Sequence, residues 1–542
     1  GLALLCWAVS VARTDVSHIA GLGLLDALPV TYYVAIGLLI LGFLDAATRS
    51  APAPRLLALY VLALIVVIHG TAPLLYDEPR YSWTYKHLGV IELIGSTGRV
   101  DRNIDIYNNW PAFFAANAWF SHVVGLRPIA YAEWAQVFFG VANVAALRFA
   151  LRSLTKDETV LWTAAALFVL GNWVGQDYLA PQAFSFLLSL VVVGLCLRRV
   201  PNARAATVAG AVCFIAVVTS HQLSPVMLIA SLALVWLVTR RVPLWVIAAM
   251  LAVEGWWLAL ASPFITRHFQ LFDIGSAGGA AGARDLAAAL PGAWLRTYSP
   301  AVVILTMGAL AVVGGVRMMR RRESVGVPAC LVVAPLLVAV LQRYGGEGAY
   351  RAYLFALPWL AFFAASACLR LPRPRGRVRM ARRPLALATG ALSVSMLFAY
   401  FGYELANHIS PGEVHAQQWY ERHAPSGSAR IQLAPSSAAR LTARYPEVSL
   451  ADGPALLEQP QFIGRRFGAR DIPRIERAVR QNSRRRTYLV LTRHQYEAAR
   501  LNGVTPPGSL GGLVRALSAS PRFRLVYGRP GAWIFVTGRH RS

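Results

Sequence analysis

"PAFFAANAWFSHVVGL", residues 111–126, is apolar but short, opens with Pro111 and is interrupted by Asn117, Ser121 and His122. Whether it crosses a membrane decides on which side every later segment lies. The surrounding chain is that of an integral membrane protein, with 56% apolar residues over 542 and a mean hydropathy of +0.47, more than a soluble core requires. Runs long enough to span, or nearly so, fall at 1–12, 29–48, 55–73, 131–150, 159–174, 179–197, 205–220, 223–239, 242–262, 298–316, 326–342, 350–369 and 384–403. That gives about thirteen spans, against the ~20 residues that a bilayer helix needs. With 111–126 lying flat, loops 49–55, 148–158, 198–204, 240–241, 317–323 and 370–383 share one side. They carry 21 Lys/Arg against three acids, Asp157, Glu158 and Glu323. The opposite loops, 13–28, 74–130, 175–178, 221–222, 263–297 and 343–349 with Arg351, carry 11 Lys/Arg and a matching number of acids. Cytoplasmic loops collect Lys and Arg, so this asymmetry reads 111–126 as an interfacial or re-entrant helix on the outer face.

The net charge of +27 accords with the same topology. "RLPRPRGRVRMARRP" (370–384) is read as a basic cytoplasmic loop beside anionic lipid, and no nucleic-acid partner is expected. The five cysteines lie in apolar runs without metal-ligand spacing and read as small buried hydrophobes. The chain begins inside an apolar segment, which reads as a trimmed start without a cleavable signal peptide.

Beyond residue 403 no span-length apolar run occurs. "RRTYLVLTRHQYEAAR" reads as a strand followed by a helix, and "FRLVYGRPGAWIFVTG" as a hairpin turning at "GRPG". The expected architecture is a polytopic α-helical membrane domain, residues 1–403, with its first outer loop at 74–130. A soluble extracytoplasmic α/β domain, residues 404–542, completes it.

That first outer loop opens on adjacent acids, Asp77 and Glu78, at the end of the 55–73 run. Two acids there suit either a solvated helix end or a site. Pro79 stiffens the chain after them, Arg80 offers a charge partner, and "RYSWTYKHLGVIELI" is expected to run as an amphipathic helix in the interface, so the acids would be held at fixed depth. Asp177, in "GQDYLAPQ" (175–182), is a second outer acid, and a helix cap for 179–197 is its plain alternative. "TSHQLSP" puts His221 and Gln222 in a tight outer turn, as ligands or as satisfied turn residues. "LQRYGGEGAYRAY" supplies Arg343, Glu347 and Arg351; the arginines would either bind a phosphate through their planar fork or pair with Glu347. Glu254, inside an apolar span, is a weaker cavity candidate. "GSAGGAAGAR" (275–284) matches neither usual phosphate-cradling fingerprint.

Asp77, Glu78 and Tyr81, followed by an amphipathic segment and then "NNWPAFF" (108–114), resemble the GT-C superfamily of polyprenyl-phosphate-sugar-dependent glycosyltransferases. The resemblance is greatest to the protein O-mannosyltransferase and aminoarabinose-transferase branch. It runs through "LRFALRSLTKDE", the loop with Gln176 and Asp177, and a helix ending in "RR", about residues 55–240. Where that branch usually has a His-Pro-Pro-Leu type motif, this chain has Asn108, Asn109, Trp110 and Pro111. The resemblance implies a multi-pass enzyme of the cytoplasmic membrane that moves a sugar from a polyprenyl-phosphate donor to a cell-envelope glycan, lipid or protein acceptor. Asp77 would be the base, Glu78 its alternate or orienting partner, and Asp177 a second acid for a metal or the acceptor. Arg80, Tyr81, Asn108, Asn109, Gln176, His221, Gln222, Arg343, Glu347 and Arg351 would line the substrate site. Such transfer needs a base and donors for the departing phosphate, and a direct displacement inverts the anomeric carbon. A divalent cation on Asp77 and Asp177 with Glu78 stays open, since hard cations take oxygen ligands. So do a non-enzymatic transporter or assembly partner of glycan export, and a lipid-linked glycan polymerase or ligase.

Overall fold

A computed structural model describes residues 1–198, 202–268, 292–341, 348–369, 380–435, 437–448, 455–481 and 486–537. Every run read as a span contains a helix. Among the described residues five helices, Val30–Thr48 and Ala203–Ser220 among them, are long and apolar enough to cross a membrane, and eight shorter apolar helices accompany them. The chain is a polytopic membrane protein. Polar side chains punctuate the helices where the sequence turns: Asp157 caps Glu158–Gly171 by accepting from the Thr159 and Val160 amides at 2.8 and 3.2 Å. Glu158 in turn clamps Arg148 and Arg152, each at 2.5 Å.

Helix Ala112–Val124 buries only Phe113 and Phe114, while Trp119, Phe120, Val123 and Val124 stay exposed. Its 13 residues rise about 20 Å, short of the roughly 30 Å hydrocarbon core. Helix Ser82–Thr97 departs from expectation, because ten of its sixteen residues are buried within the protein and it is no surface helix. It packs on Ala112–Val124 on one side, and the backbone at Arg440 and Leu441 presses against Gly89. A Cβ at Gly89 would lie 1.8 Å from the Arg440 carbonyl oxygen, so only glycine admits this approach.

The strand–helix unit and the hairpin read from the C-terminal sequence are both present. Four strands, β1 (Ala429–Gln432), β2 (Thr487–Thr492), β3 (Phe523–Arg529) and β4 (Ala532–Thr537), form one sheet in the order β1-β2-β4-β3. The β1/β2 pair is parallel and the other two are antiparallel. Alternation divides β2 between two cores: Leu489 and Leu491 face helices Ile472–Gln481 and Ser509–Ser518, whereas Tyr488 and Val490 face Pro411–His423. Thr492 caps the helix Arg493–Leu501 that succeeds β2.

Two buried polar clamps tie the 74–130 segment to residues beyond the last apolar helix, Arg382–Phe401. Arg80 is ion-paired with Glu404, which is fully buried and also accepts from the Tyr76 hydroxyl at 2.8 Å. Farther along, Tyr445 donates to Asp105 Oδ2 at 2.8 Å, and the Asn108 amide donates to Asp105 Oδ1 and to the Tyr445 hydroxyl at 2.9 and 3.1 Å.

The ion pair and the flat helix can each be tested. Glu404→Gln strands the Arg80 charge in a dry interior and is expected to cost about 3–5 kcal/mol, read as a large fall in thermal stability of the purified protein. A nitroxide at Trp119→Cys, on a chain with its five native cysteines replaced, should report headgroup depth by its relaxation with oxygen and a polar nickel chelate. A signal from the bilayer centre would overturn the flat reading of 111–126.

Candidate functional site

Tyr76–Tyr81 forms a tight corner between helices Thr71–Leu75 and Ser82–Thr97. Tyr81 holds φ at +70°, a left-handed conformation rare for a side chain of this size, and its amide donates to the Asn407 carbonyl at 3.2 Å. The corner turns Asp77 out to solvent, leaves Glu78 half-buried and buries Arg80. A small cleft opens there, lined by Glu78, Arg80, Tyr81, Glu133, Gln136 and Tyr178. Burial, followed by the nearby charges of Glu133 and Asp77, pushes the Glu78 carboxyl up to about 7, against the pull of Arg127.

Arg80 pairs with Glu404 rather than with the adjacent acids that the sequence offers it. Its guanidinium also donates to Gln136 Oε1 and the Tyr400 carbonyl, both at 3.3 Å, and lies 4.8 and 4.6 Å from the Tyr81 and Tyr400 ring centres. Held on so many sides, Arg80 positions the cleft wall.

Asp177 reaches the floor of the same cluster and is 4% exposed. It does not cap the next helix, Pro181–Leu197, whose N-cap is Ala180. Gln136 Nε2 donates to Asp177 Oδ1 at 2.8 Å and to the Tyr400 hydroxyl at 2.7 Å. The Tyr400 hydroxyl, which accepts from Gln136, also hydrogen-bonds His69 Nδ1 at 2.8 Å. Asp177 Oδ2, 3.5 Å from His69 Nδ1, accepts no hydrogen bond among the described residues, so one buried carboxylate oxygen stands without a donor there. Gly175, at φ +65°, brings this loop against the corner; a Cβ there would sit 3.0 Å from the Tyr81 hydroxyl oxygen.

The structure thus brings Glu78, Arg80 and Tyr81 to one cleft, with Asp77 exposed next to Glu78 in the chain and Asp177 joined to the cleft wall through Gln136. His221 and Arg351 belong to a neighbouring polar group. His221 Nδ1 accepts from the Ser224 amide and hydroxyl at 3.1 and 2.9 Å, and burial, then Arg351 and His87, hold its pKa well below the usual range. His87, pushed down to about 4 by burial, donates to the Leu179 carbonyl at 2.8 Å and stacks on Tyr178. Gln176 and Gln222 are half-buried. Asn108 and Asn109 spend their amides within the 102–109 turn and on Tyr445. Glu254 is buried in helix Leu244–His268 with neither oxygen hydrogen-bonded. Arg343 and Glu347 lie outside the described residues, as do residues 275–284 and the core of the 370–384 loop. Among the described residues, no group of three or more His, Cys, Asp and Glu is placed to hold a metal ion.

His69, Gln136, Glu133, Tyr400 and Glu404 join the cluster without having stood out in the sequence. Each is a polar residue at one end of an apolar run, the same signal that draws attention to Glu254.

No protein-family model matches the chain, and no curated protein matches it in sequence. Solved structures do. The arabinofuranosyltransferase AftD from Mycobacteria has a TM-score of 0.52 at 15% identity over 92% of this chain, which spans 41% of AftD's length. ArnT from Cupriavidus metallidurans in the apo state gives 0.49 at 12% identity, over 88% of this chain and 97% of that one. The archaeal oligosaccharyltransferase AglB from Archaeoglobus fulgidus gives 0.49 at 12% identity, over 90% and 74%. The chain thus shares its overall fold with AftD.

Proposed function

We propose that the protein is an inverting glycosyltransferase that takes a sugar from a polyprenyl-phosphate donor and adds it to a cell-envelope acceptor on the extracytoplasmic face. The observation that carries this reading is the arrangement of carboxylates about one cleft. Glu78 lines it with the exposed Asp77 next to it in the chain, and Gln136, on its wall, donates to the buried Asp177. The fold shared with AftD supports it, and the Lys/Arg asymmetry of the loops supports an extracytoplasmic position for this corner.

In the proposed step the acceptor hydroxyl oxygen attacks the anomeric carbon from the face opposite the phosphate. A carbon–oxygen bond forms there as the bond to the phosphate oxygen breaks, and the phosphate leaves with the electron pair. The hydroxyl proton passes to Asp77, which is exposed and so reachable by an incoming acceptor. Asp177 would anchor sugar hydroxyls or a bound cation through its open oxygen, and Arg351 with the neutral His221 would meet the donor phosphate. The C-terminal unit, joined to the same segment through Asp105 and Tyr445, would help to orient the acceptor.

Transfer from a panel of radiolabelled polyprenyl-phosphate sugars and one polyprenyl-diphosphate glycan tests the reading. Asp77→Asn, at matched expression, should lose about 10²–10⁴-fold in turnover while still binding donor. An equally active variant would refute Asp77 as the base, and consumption of only the diphosphate donor would favour a glycan polymerase or ligase.

The pH profile gives an independent check. A carboxyl raised to about 7 is neutral below that pH and ionised above it. Ionised Glu78 is a stronger hydrogen-bond acceptor than the neutral acid and better orients the acceptor hydroxyl toward Asp77, so transfer should rise as pH climbs through about 7. Glu78→Gln should flatten that limb, and an unchanged profile would sink the assignment.

A further inference from the structure

The C-terminal sheet carries a second concavity, outside the cleft and unused by the transfer step. On one sheet face Tyr488, Val536 and Arg524 stand side by side across β2, β4 and β3. Helix Pro411–His423 covers part of that face, with Tyr420 edge-on to Tyr488 and Trp419 tilted on Tyr527. Between the end of that helix and the edge strand β3 remains an open groove of about 390 Å³, lined by Trp419, His423, Arg486, Tyr488, Arg524 and the β3 residues beside it. That volume falls within the roughly 300–1,000 Å³ of small-ligand sites.

We infer that this groove binds an acidic saccharide, one bearing a carboxylate or a phosphate. Three features select that chemistry. Arg486 and Arg524 are exposed at the groove, no acid lines it, and neither arginine has an ion pair among the described residues. The Arg486 guanidinium sits 5.5 Å from the Tyr488 ring centre, so it is partly held in place. A planar guanidinium fork matches carboxylate and phosphate oxygens.

Second, the His423 ring stacks on the Trp419 indole at 4.8 Å and 16°, and its Nδ1 donates to the Trp419 carbonyl at 2.8 Å. The pair forms a fixed flat aromatic surface, suited to the apolar face of a sugar ring, and leaves Nε2 to hydrogen-bond a hydroxyl. Third, the helix end beside it would ordinarily repel an anion through its free carbonyls. Here Arg444 donates to the carbonyls of Glu421, Arg422 and Ala424 at 2.9, 2.8 and 3.3 Å, which neutralises that end.

The test uses the full-length chain in nanodiscs of zwitterionic lipid, with binding measured for trigalacturonate, mannose 6-phosphate, maltotriose, inorganic phosphate and phosphatidylglycerol vesicles. One or both acidic sugars should bind at least tenfold more tightly than maltotriose, and Arg486→Ala/Arg524→Ala should weaken that binding roughly tenfold or more. The pair Arg486→Lys/Arg524→Lys, which keeps the charge and loses the fork, should fall between. The inference fails if maltotriose binds as well, if the double alanine variant binds unchanged, or if inorganic phosphate alone accounts for the phosphosugar signal. It also fails if only the vesicles bind, which would make the groove a lipid-headgroup site, or if no acidic sugar binds at millimolar concentration. None of these readouts depends on transfer at the cleft.

Discussion

The buried pairing of Arg80 with Glu404 is the contact on which the rest of the arrangement depends. A guanidinium and a carboxylate in a dry interior are each costly alone, so the two must be found together. Arg80 comes from the corner that carries Asp77 and Glu78, and Glu404 from the residues just past the last apolar helix. Their union fixes the cleft wall to the end of the membrane domain. The aromatic rings of Tyr81 and Tyr400 pack on the guanidinium, and through Gln136 the same network reaches Asp177. Residues distant in sequence thereby become one polar cluster.

Within that cluster the two ends differ in environment. The mouth is wet, with Asp77 in solvent and Glu78 half out of it, whereas the floor around Asp177, His69 and Tyr400 is closed to water. A dry floor strengthens every charge interaction made there, and a wet mouth lets a proton leave. The Asp177 carboxylate is held through one oxygen by Gln136, while the other has no hydrogen-bond donor among the described residues.

Much of this is legible in the sequence. Apolar runs mark the membrane helices because hydrophobic length is a direct physical requirement of the bilayer, and the short run "TYLVLT" with the Pro-Gly turn before "AWIFVT" marks strands and hairpin. The acids at 77, 78 and 177 stand out because charge beside apolar runs is rare. Pairing is what stays hidden. Nothing local links Arg80 to a carboxylate 324 residues away, and Glu78, two positions back, is the nearer candidate. The burial of helix Ser82–Thr97 is hidden for a related cause: it is imposed by the Arg440 segment closing on Gly89, a long-range contact that composition within 82–97 does not encode. Asn108 illustrates the same limit, since its partner Tyr445 comes from another part of the chain.

The Asp105–Tyr445 clamp has a consequence for how the protein is made. Its partners are 340 residues apart, and at ribosomal speeds of about 5–20 residues per second Asp105 emerges roughly 20–70 s before Tyr445 exists. During that interval the corner bearing the acids has neither Tyr445 nor Glu404 to complete it, and the Gly89 surface is uncovered. Helix insertion can proceed span by span, but assembly of the cleft must wait until Glu404 and Tyr445 have emerged. A chain arrested short of residue 404 would therefore hold a membrane bundle with an unfinished pocket, exposed to proteases and chaperones in a way the complete protein is not.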